Sequence, residues 1–357
     1  MHARIQQGTE TALKAKVAFL SRPETYGLPA GMVSCRETHM SFVFLAGARV
    51  YKLKKPVRFP YLDFSTFAKR EAACRAELRL NRRLAPDIYL GVEPLVAHDD
   101  GFAISGAGQP TDWLVVMTRL DERFMLDRMI AENRLTSGML DRLCATLARF
   151  YRRAAPVALP FAVHMADWRR SLADNRRILL DARFRLPAGL VRRIDRAQRQ
   201  FLDTHGQTIA TRLRRRRIVD GHGDLRPEHI WLDDRVRIID CLEFNARLRA
   251  GDPLDEMAFL SLECARLGAP WAGAYLERRM QRLLHEAVPE SLIAFYRCHR
   301  ATLRARLAIA HLLEDHPRTP EKWPAQAQAY LRLAAADARR LEHSPQTWEP
   351  VLRKRMR

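Results

Sequence analysis

Asp220-Gly-His-Gly-Asp-Leu-Arg-Pro-Glu-His-Ile-Trp-Leu232, followed closely by Val236-Arg-Ile-Ile-Asp-Cys-Leu-Glu-Phe244, carries the densest chemistry in this chain. A short apolar run delivers a Gly-His-Gly-Asp loop. A second apolar strand ends on Asp240, 16 residues after Asp224. Two carboxylates on adjacent strand ends suit a site that holds a metal-nucleotide and handles a phosphoryl group. Glycines at 221 and 223 let the backbone turn tightly and let a substrate approach. Asp224 in that loop can accept a hydroxyl proton and orient an attacking oxygen. Asp240 is placed to hold a metal ion bridging phosphates. The plainer use of either aspartate is to cap a turn. Glu243 is a candidate second metal or substrate contact, and a surface salt bridge fits it equally.

Upstream, Ser41-Phe-Val-Phe-Leu45 reads as a strand and Ala46-Gly47-Ala48 as a turn. Arg49-Val-Tyr-Lys-Leu-Lys54 follows as a second strand, ended by Pro56. Period two puts Val50, Lys52 and Lys54 on one face, and Tyr51 and Leu53 on the other. Lys52 can lie under a nucleotide there and reach its phosphates; an exposed edge-strand lysine is the plainer use. A helix is expected next, capped by Asp63 or Ser65 and running to about Leu84, before Pro86. Ala73, Cys74, Leu80 and Leu84 form its apolar stripe, and Glu77 falls inside that stripe. A buried carboxylate needs a partner. Lys52 is the natural one, with Arg70 and Arg82 as alternatives. Two more strands are expected at 91–98 and 113–117.

After Leu120 the spacing turns helical, over 126–153, 166–183, 189–213, 253–267, 270–313 and 322–343. Two short strands and the Gly-His-Gly-Asp loop interrupt it at 217–245. Asp252, before Pro253, reads as a helix cap, and Asp255 sits in that helix's first turn. The apolar fraction of 47% excludes a disordered chain. No run of 18 apolar residues exists, so no membrane span is expected. The first residues lack the apolar block of a secretory signal, and the six cysteines form no Cys-x-x-Cys pair. Reduced thiols and a cytoplasmic location are the expectation. The net charge of +20 is mostly arginine and dispersed, with one dense run at Arg212-Leu-Arg-Arg-Arg-Arg217. A nucleic-acid surface, attraction of an anionic substrate such as a nucleotide, and solvated arginine-rich faces are the three readings, and dispersal favours the last.

Taken together these residues resemble the aminoglycoside phosphotransferase-like branch of the protein-kinase-like superfamily, close to an uncharacterised bacterial group within it. The elements that carry the resemblance are Glu37-Thr-His-Met-Ser-Phe-Val-Phe-Leu45, Val50-Tyr-Lys-Leu-Lys-Lys-Pro56, Glu77-Leu-Arg-Leu-Asn81, His222-Gly-Asp-Leu-Arg-Pro-Glu-His229, Ile239-Asp-Cys-Leu-Glu-Phe244 and Gly251-Asp-Pro-Leu-Asp255, in the family's order. The resemblance implies an α+β, bilobal kinase-like fold. A small β-rich lobe with one helix, residues 1–118, would bind nucleotide phosphates. A larger, mostly helical lobe, 119–357, would carry the catalytic loop at 221–232 and the metal-binding strand end at 236–244. Lys52 would be the phosphate-binding lysine, paired with Glu77. Asp224 would be the catalytic aspartate, and Asp240 the metal ligand. His222 and Asp255 would support the loop. The 116–119 hinge, with Val116 and Thr118, would meet adenine through backbone groups. ATP and Mg2+, or Mn2+, are the implied cofactors, and a small-molecule hydroxyl the implied acceptor.

Two departures stand out. The family usually has asparagine five residues after the catalytic aspartate, as a metal ligand; here that position is His229. Imidazole suits softer metals than magnesium. No glycine-rich loop precedes Lys52, and Thr38-His-Met-Ser41 stands in its place. An ATP-dependent small-molecule phosphotransferase is therefore weighed against a nucleotide-binding pseudokinase or scaffold. A transition-metal hydrolase built on His222, Asp224, His229 and Asp240, and a nucleic-acid binder, are the remaining alternatives. The acceptor and the oligomeric state are not written in the sequence.

Overall fold

The computed structural model describes residues 7–99, 101–313, 317 and 319–343. The first three strands are β1 (Val33–Glu37), β2 (Ser41–Ala46) and β3 (Arg49–Lys54). Gly47, at φ +58, closes the two-residue loop between β2 and β3, where only a left-handed backbone lets the strands pair from Ala46↔Arg49 onward. A two-residue hairpin follows, β4 (Arg58–Phe59) with β5 (Leu62–Asp63), and then β6 (Tyr89–His98), β7 (Gly101–Ile104) and β8 (Gln109–Thr118). Six strands form one antiparallel sheet in the order β1-β2-β3-β8-β6-β7.

The period of two gives this sheet two different faces. Phe44, Tyr51, Leu53, Leu114 and Val116 pack with Leu13 and Leu20 of an unanticipated helix, α1 (Gln7–Leu20). Leu45, Val50, Val115 and Met117 pack on the other side with Cys74 of α2 (Phe67–Asn81). The cap of α2 is Thr66, whose side chain accepts from Lys69 N, and neither Asp63 nor Ser65. Asp63 instead closes the preceding turn, accepting from the backbone and hydroxyl of Ser65. Asp112 ties the two helices to the sheet. Its buried carboxylate takes Lys16 of α1 at 2.8 Å and Arg70 of α2 at 2.7 and 3.1 Å.

The described residues form two compact units. The first holds the sheet, 222–224 and 228–249, including the hairpin β10 (Ile230–Leu232) with β11 (Val236–Ile238) and the short helix α8 (Ala246–Arg249). α3 (Leu126–Ala131) lies where the first unit gives way to the second. The second unit is mostly helical: α4 (Ser137–Arg153), α5 (Phe161–Leu179), α6 (Ala188–Thr204), α7 (Gly206–Arg214), α9 (Pro253–Arg266), α10 (Pro270–Leu283), α11 (Glu290–Ala310) and α12 (Lys322–Glu342). It also holds the short pair β9 (Val219–Asp220) with β12 (Ala250–Gly251). Every residue of α9 from Pro253 to Cys264 is buried, the mark of a central helix. Asp252 caps it, accepting from Leu254 N.

Three stretches expected as single helices are broken. Residues 126–153 divide at Asn133, φ +54; 189–213 divide at His205; 270–313 divide before Pro289, past His285 at φ +54. Apolar spacing runs across each break because both fragments turn the same kind of stripe inward.

Candidate functional site

Lys52 and Lys54 leave β3 on the α2 side of the sheet. Lys52 Nζ donates to Glu77 Oε1 at 2.8 Å and to Asp240 Oδ1 at 2.9 Å. Lys54 Nζ donates to Glu77 Oε2 at 2.6 Å and to Glu243 Oε1 at 2.5 Å. The partners considered on α2 itself are committed elsewhere: Arg70 to Asp112, Arg82 to the Tyr89 and Leu90 carbonyls. Burial pushes the Glu77 carboxyl up, but Lys52 and Lys54 together outweigh it and hold it below the ordinary value. Burial works against the Lys52 charge, and Asp240 and Glu77 overcome it, holding the ammonium well above its usual range. Burial pushes Glu243 up, and Lys54 offsets this only in part.

Asp240 sits at φ +62, a left-handed conformation rare outside glycine, asparagine and aspartate. Four successive backbone N–H groups hold it there. Ile239 donates to His229 O at 2.9 Å, Asp240 to the Tyr89 hydroxyl at 3.2 Å, Cys241 to Asn81 Oδ1 at 2.9 Å, and Leu242 to His222 O at 3.1 Å. Asn81 is itself anchored on α2, donating to Glu77 O. The lysine, the helix glutamate and the strand-end carboxylate are thus fixed against one another by backbone as well as by charge.

The two histidines of the loop have different work. His222, fully buried, lies 3.0 Å from Ile239 O through Nε2. A carbonyl only accepts, so Nε2 carries the hydrogen. Nδ1 then accepts from Asp224 N at 3.3 Å. Both ring nitrogens are spent on backbone, and His222 joins the Asp224 loop to the Asp240 segment. By the same logic His229 donates through Nδ1 to Asp224 O at 2.9 Å. In the neutral ring this leaves a lone pair on Nε2, which faces Asp240 Oδ2 at 3.5 Å. Nε2 and Oδ2 are the two atoms of this contact that could serve as ligands to a cation. Gly223 turns the loop at φ +87, and a Cβ there would also lie 2.9 Å from Leu242 Cδ1. Gly221 is required for a different reason: a Cβ would come within 2.6 Å of the buried Glu256 Oε1.

No family profile matches this chain. It is 33% identical over 291 residues to the uncharacterised proteins Rv2004c of Mycobacterium tuberculosis and Mb2027c of Mycobacterium bovis. That match covers 80% of this chain but 56% of each relative, so the chain spans little more than half their length. Among solved structures, a thermostable mutant of aminoglycoside phosphotransferase APH(4)-Ia superposes with a TM-score of 0.54 at 14% identity, covering 92% of this chain and 99% of that one. The chain has a protein-kinase-like fold. A choline/ethanolamine kinase family protein from Mesorhizobium loti also aligns, at TM-score 0.49 and 18% identity over 92% of this chain and 99% of its own.

Within the kinase-like fold, the first unit brings Lys52, Glu77, Asp224, His222, His229, Asp240 and Glu243 together. Asp255 lies in the second unit, in a bidentate pair with Arg300 at 2.9 and 2.6 Å. Its neighbour Glu256 accepts from the Tyr151 hydroxyl and packs against Gly221. Val116 is paired on both sides, to Tyr51 and Gly91, and its side chain is on the α1 face. Thr118 N donates to Ile88 O, and Arg119 N to Ala48 O. Met117, with Val50 and Ile239, shares the face that carries Lys52. Sequence parity alone separates Met117 from Val116, because Met117 pairs with Val50.

The sequence reading put Lys54 on the face of Lys52 and Asn81 in the Glu77 element without giving either a role, and it did not name Tyr89. Among the described residues no three His, Cys, Asp or Glu side chains gather as a metal site. Asp240 and His229 are two side chains that could hold a divalent ion completed by phosphates and water.

Proposed function

We propose that the chain binds a nucleoside triphosphate with a divalent metal and transfers its terminal phosphoryl group to a hydroxyl of a small molecule. The observation that carries this reading is Lys52, bridging Glu77 and Asp240 at 2.8 and 2.9 Å with Asp240 held in a left-handed turn. A lysine fixed this way can give its charge to α and β phosphates. Asp240 Oδ2 and His229 Nε2 would hold the metal, whose charge offsets that of the phosphates. Asp224, its amide tied by His222, would orient the acceptor hydroxyl and take its proton.

Purified chain should melt at higher temperature with ATP and Mg2+ or Mn2+, and Lys52→Met and Asp240→Asn should lose that shift. Asp224→Asn should keep the shift and lose ADP release in a screen of sugars, amino alcohols, nucleosides and aminoglycosides. Absence of any nucleotide shift with either metal would sink the proposal. His229 favours a second reading, a nucleotide-binding pseudokinase. Under it, Asn at position 229 raises turnover; under the first, the natural histidine supports turnover on its own.

A further inference from the structure

A kinase-like site needs one lysine held by one helix glutamate, and Lys52 with Glu77 supplies it. The structure contains a second pair built just as deliberately. Lys54 is 1% exposed and Glu77 0%. Lys54 bridges Glu77 Oε2 and Glu243 Oε1, and its ammonium also lies 4.9 Å from the centre of the Phe64 ring. The five side chains form a continuous ladder, Asp240–Lys52–Glu77–Lys54–Glu243. Its two lysines are i and i+2 on one strand, and its outer carboxylates are three residues apart in one loop.

Burying a second ion pair stabilises little compared with apolar residues of the same size, and its best-attested use is to fix one arrangement over others. The arrangement at stake here is clear. The segment from Asp240 to Phe244 has no regular secondary structure. Backbone bonds pin it as far as Leu242, and beyond that the Glu243 carboxylate is its anchor on β3. Without that anchor the chain beyond Leu242 loses its ion pair to β3, leaving the packing of Phe244 against Val57, Leu62, Phe64 and Ala73.

We propose that Lys54 and Glu243 are positioning residues for the metal-nucleotide. They lock the Asp240 segment to the strand that carries Lys52, so that the phosphate lysine and the metal carboxylate are set in register before any ligand arrives. Glu243 on this view is neither a metal ligand nor a substrate contact. The inference rests on the nucleotide-binding reading above, and deepens it.

The test compares the full chain with K54M/E243M and E243Q. The double variant leaves Glu77 Oε2 without Lys54, so its melting temperature should fall, whereas E243Q keeps Lys54 on Glu77 and should melt close to the parent. Binding of ATP is measured by calorimetry with and without Mn2+, and Mn2+ occupancy by electron paramagnetic resonance. Partners that orient a metal ligand typically contribute 10- to 100-fold to metal affinity. Both variants should therefore bind Mn2+–ATP roughly 10-fold or more weakly, while metal-free ATP binding stays as in the parent. A purely structural role would leave that metal-dependent difference unchanged. Parent-like Mn2+–ATP affinity in a folded variant overturns the proposal, as does failure of both variants to fold, which would make the pair a stability element. A parent chain that binds no nucleotide at all defeats the broader reading and this inference with it.

Discussion

At the scale of single residues, His229 sets the chemistry of the candidate site apart. Its ring has one orientation and, when neutral, one tautomer, because Nδ1 must donate to the Asp224 carbonyl at 2.9 Å. What it offers toward Asp240 is then a nitrogen lone pair at 3.5 Å from Oδ2. Asparagine can do both jobs differently: its amide N–H reaches a carbonyl and its oxygen becomes the ligand. The fold should therefore tolerate His229→Asn, and the metal preference should move. Nitrogen ligands suit manganese better than magnesium, which favours oxygen and strict octahedral geometry. The parent should bind ATP more tightly with Mn2+ than with Mg2+, and H229N should shift that ratio toward Mg2+ by about 10-fold. Calorimetric titration of ATP with each metal measures it, and an unchanged ratio would remove His229 from the metal site.

At the scale of elements, what was legible depended on periodicity. β3 and α2 could be found because alternation and an apolar stripe name their faces, and Glu77 stood out as a charge inside such a stripe. Lys52, Glu77, Asp224, His229 and Asp240 could be picked out by residue type and spacing. Their mutual distances, and the second pair of Lys54 with Glu243, could not, because those contacts join segments up to 189 positions apart. Helix α1 was missed because its partner face on the sheet is as apolar as the face toward α2, so nothing in the strands shows which side needs cover. Asp112 records that cover: it is the shared anion for Lys16 of α1 and Arg70 of α2, and all three are buried. Removing one partner from a buried ionic cluster strands the others without compensation. Asp112→Asn should destabilise the first unit by about 3–5 kcal/mol, read by urea denaturation. A loss below about 1 kcal/mol would mean that α1 and α2 do not depend on it.

At the scale of the whole molecule, the +20 charge is less free than the sequence suggests. In the one dense basic run, Arg212 is buried between Asp252 and Glu286, and Arg217 pairs with the same Glu286. No described helix is long and apolar enough to cross a membrane. Acid sensitivity should come instead from a neutral group in the second unit. His299 is buried, lies 2.8 Å from Ser171 Oγ through Nε2, and packs edge-on against Trp168. Burial, with Arg300 and Arg306 nearby, lowers its pKa from 6.5 to about 3. The folded state therefore holds the ring neutral where the unfolded chain would protonate it. Its contribution is complete above pH 6.5 and is lost as pH falls from 6.5 toward 3. At pH 5 the loss from this ring reaches about 2 kcal/mol. Glu243 and Asp255 work in the opposite sense, since burial raises both carboxyls and protonation favours their folded forms. A comparison of variants separates the terms. Replacing His299 with Gln keeps a polar partner for Ser171 and removes the titration. Between pH 7.5 and 5 the parent should lose roughly 4 °C more in melting temperature than H299Q. Parallel melting curves for the two proteins across that range would show that His299 is protonated without cost in the fold.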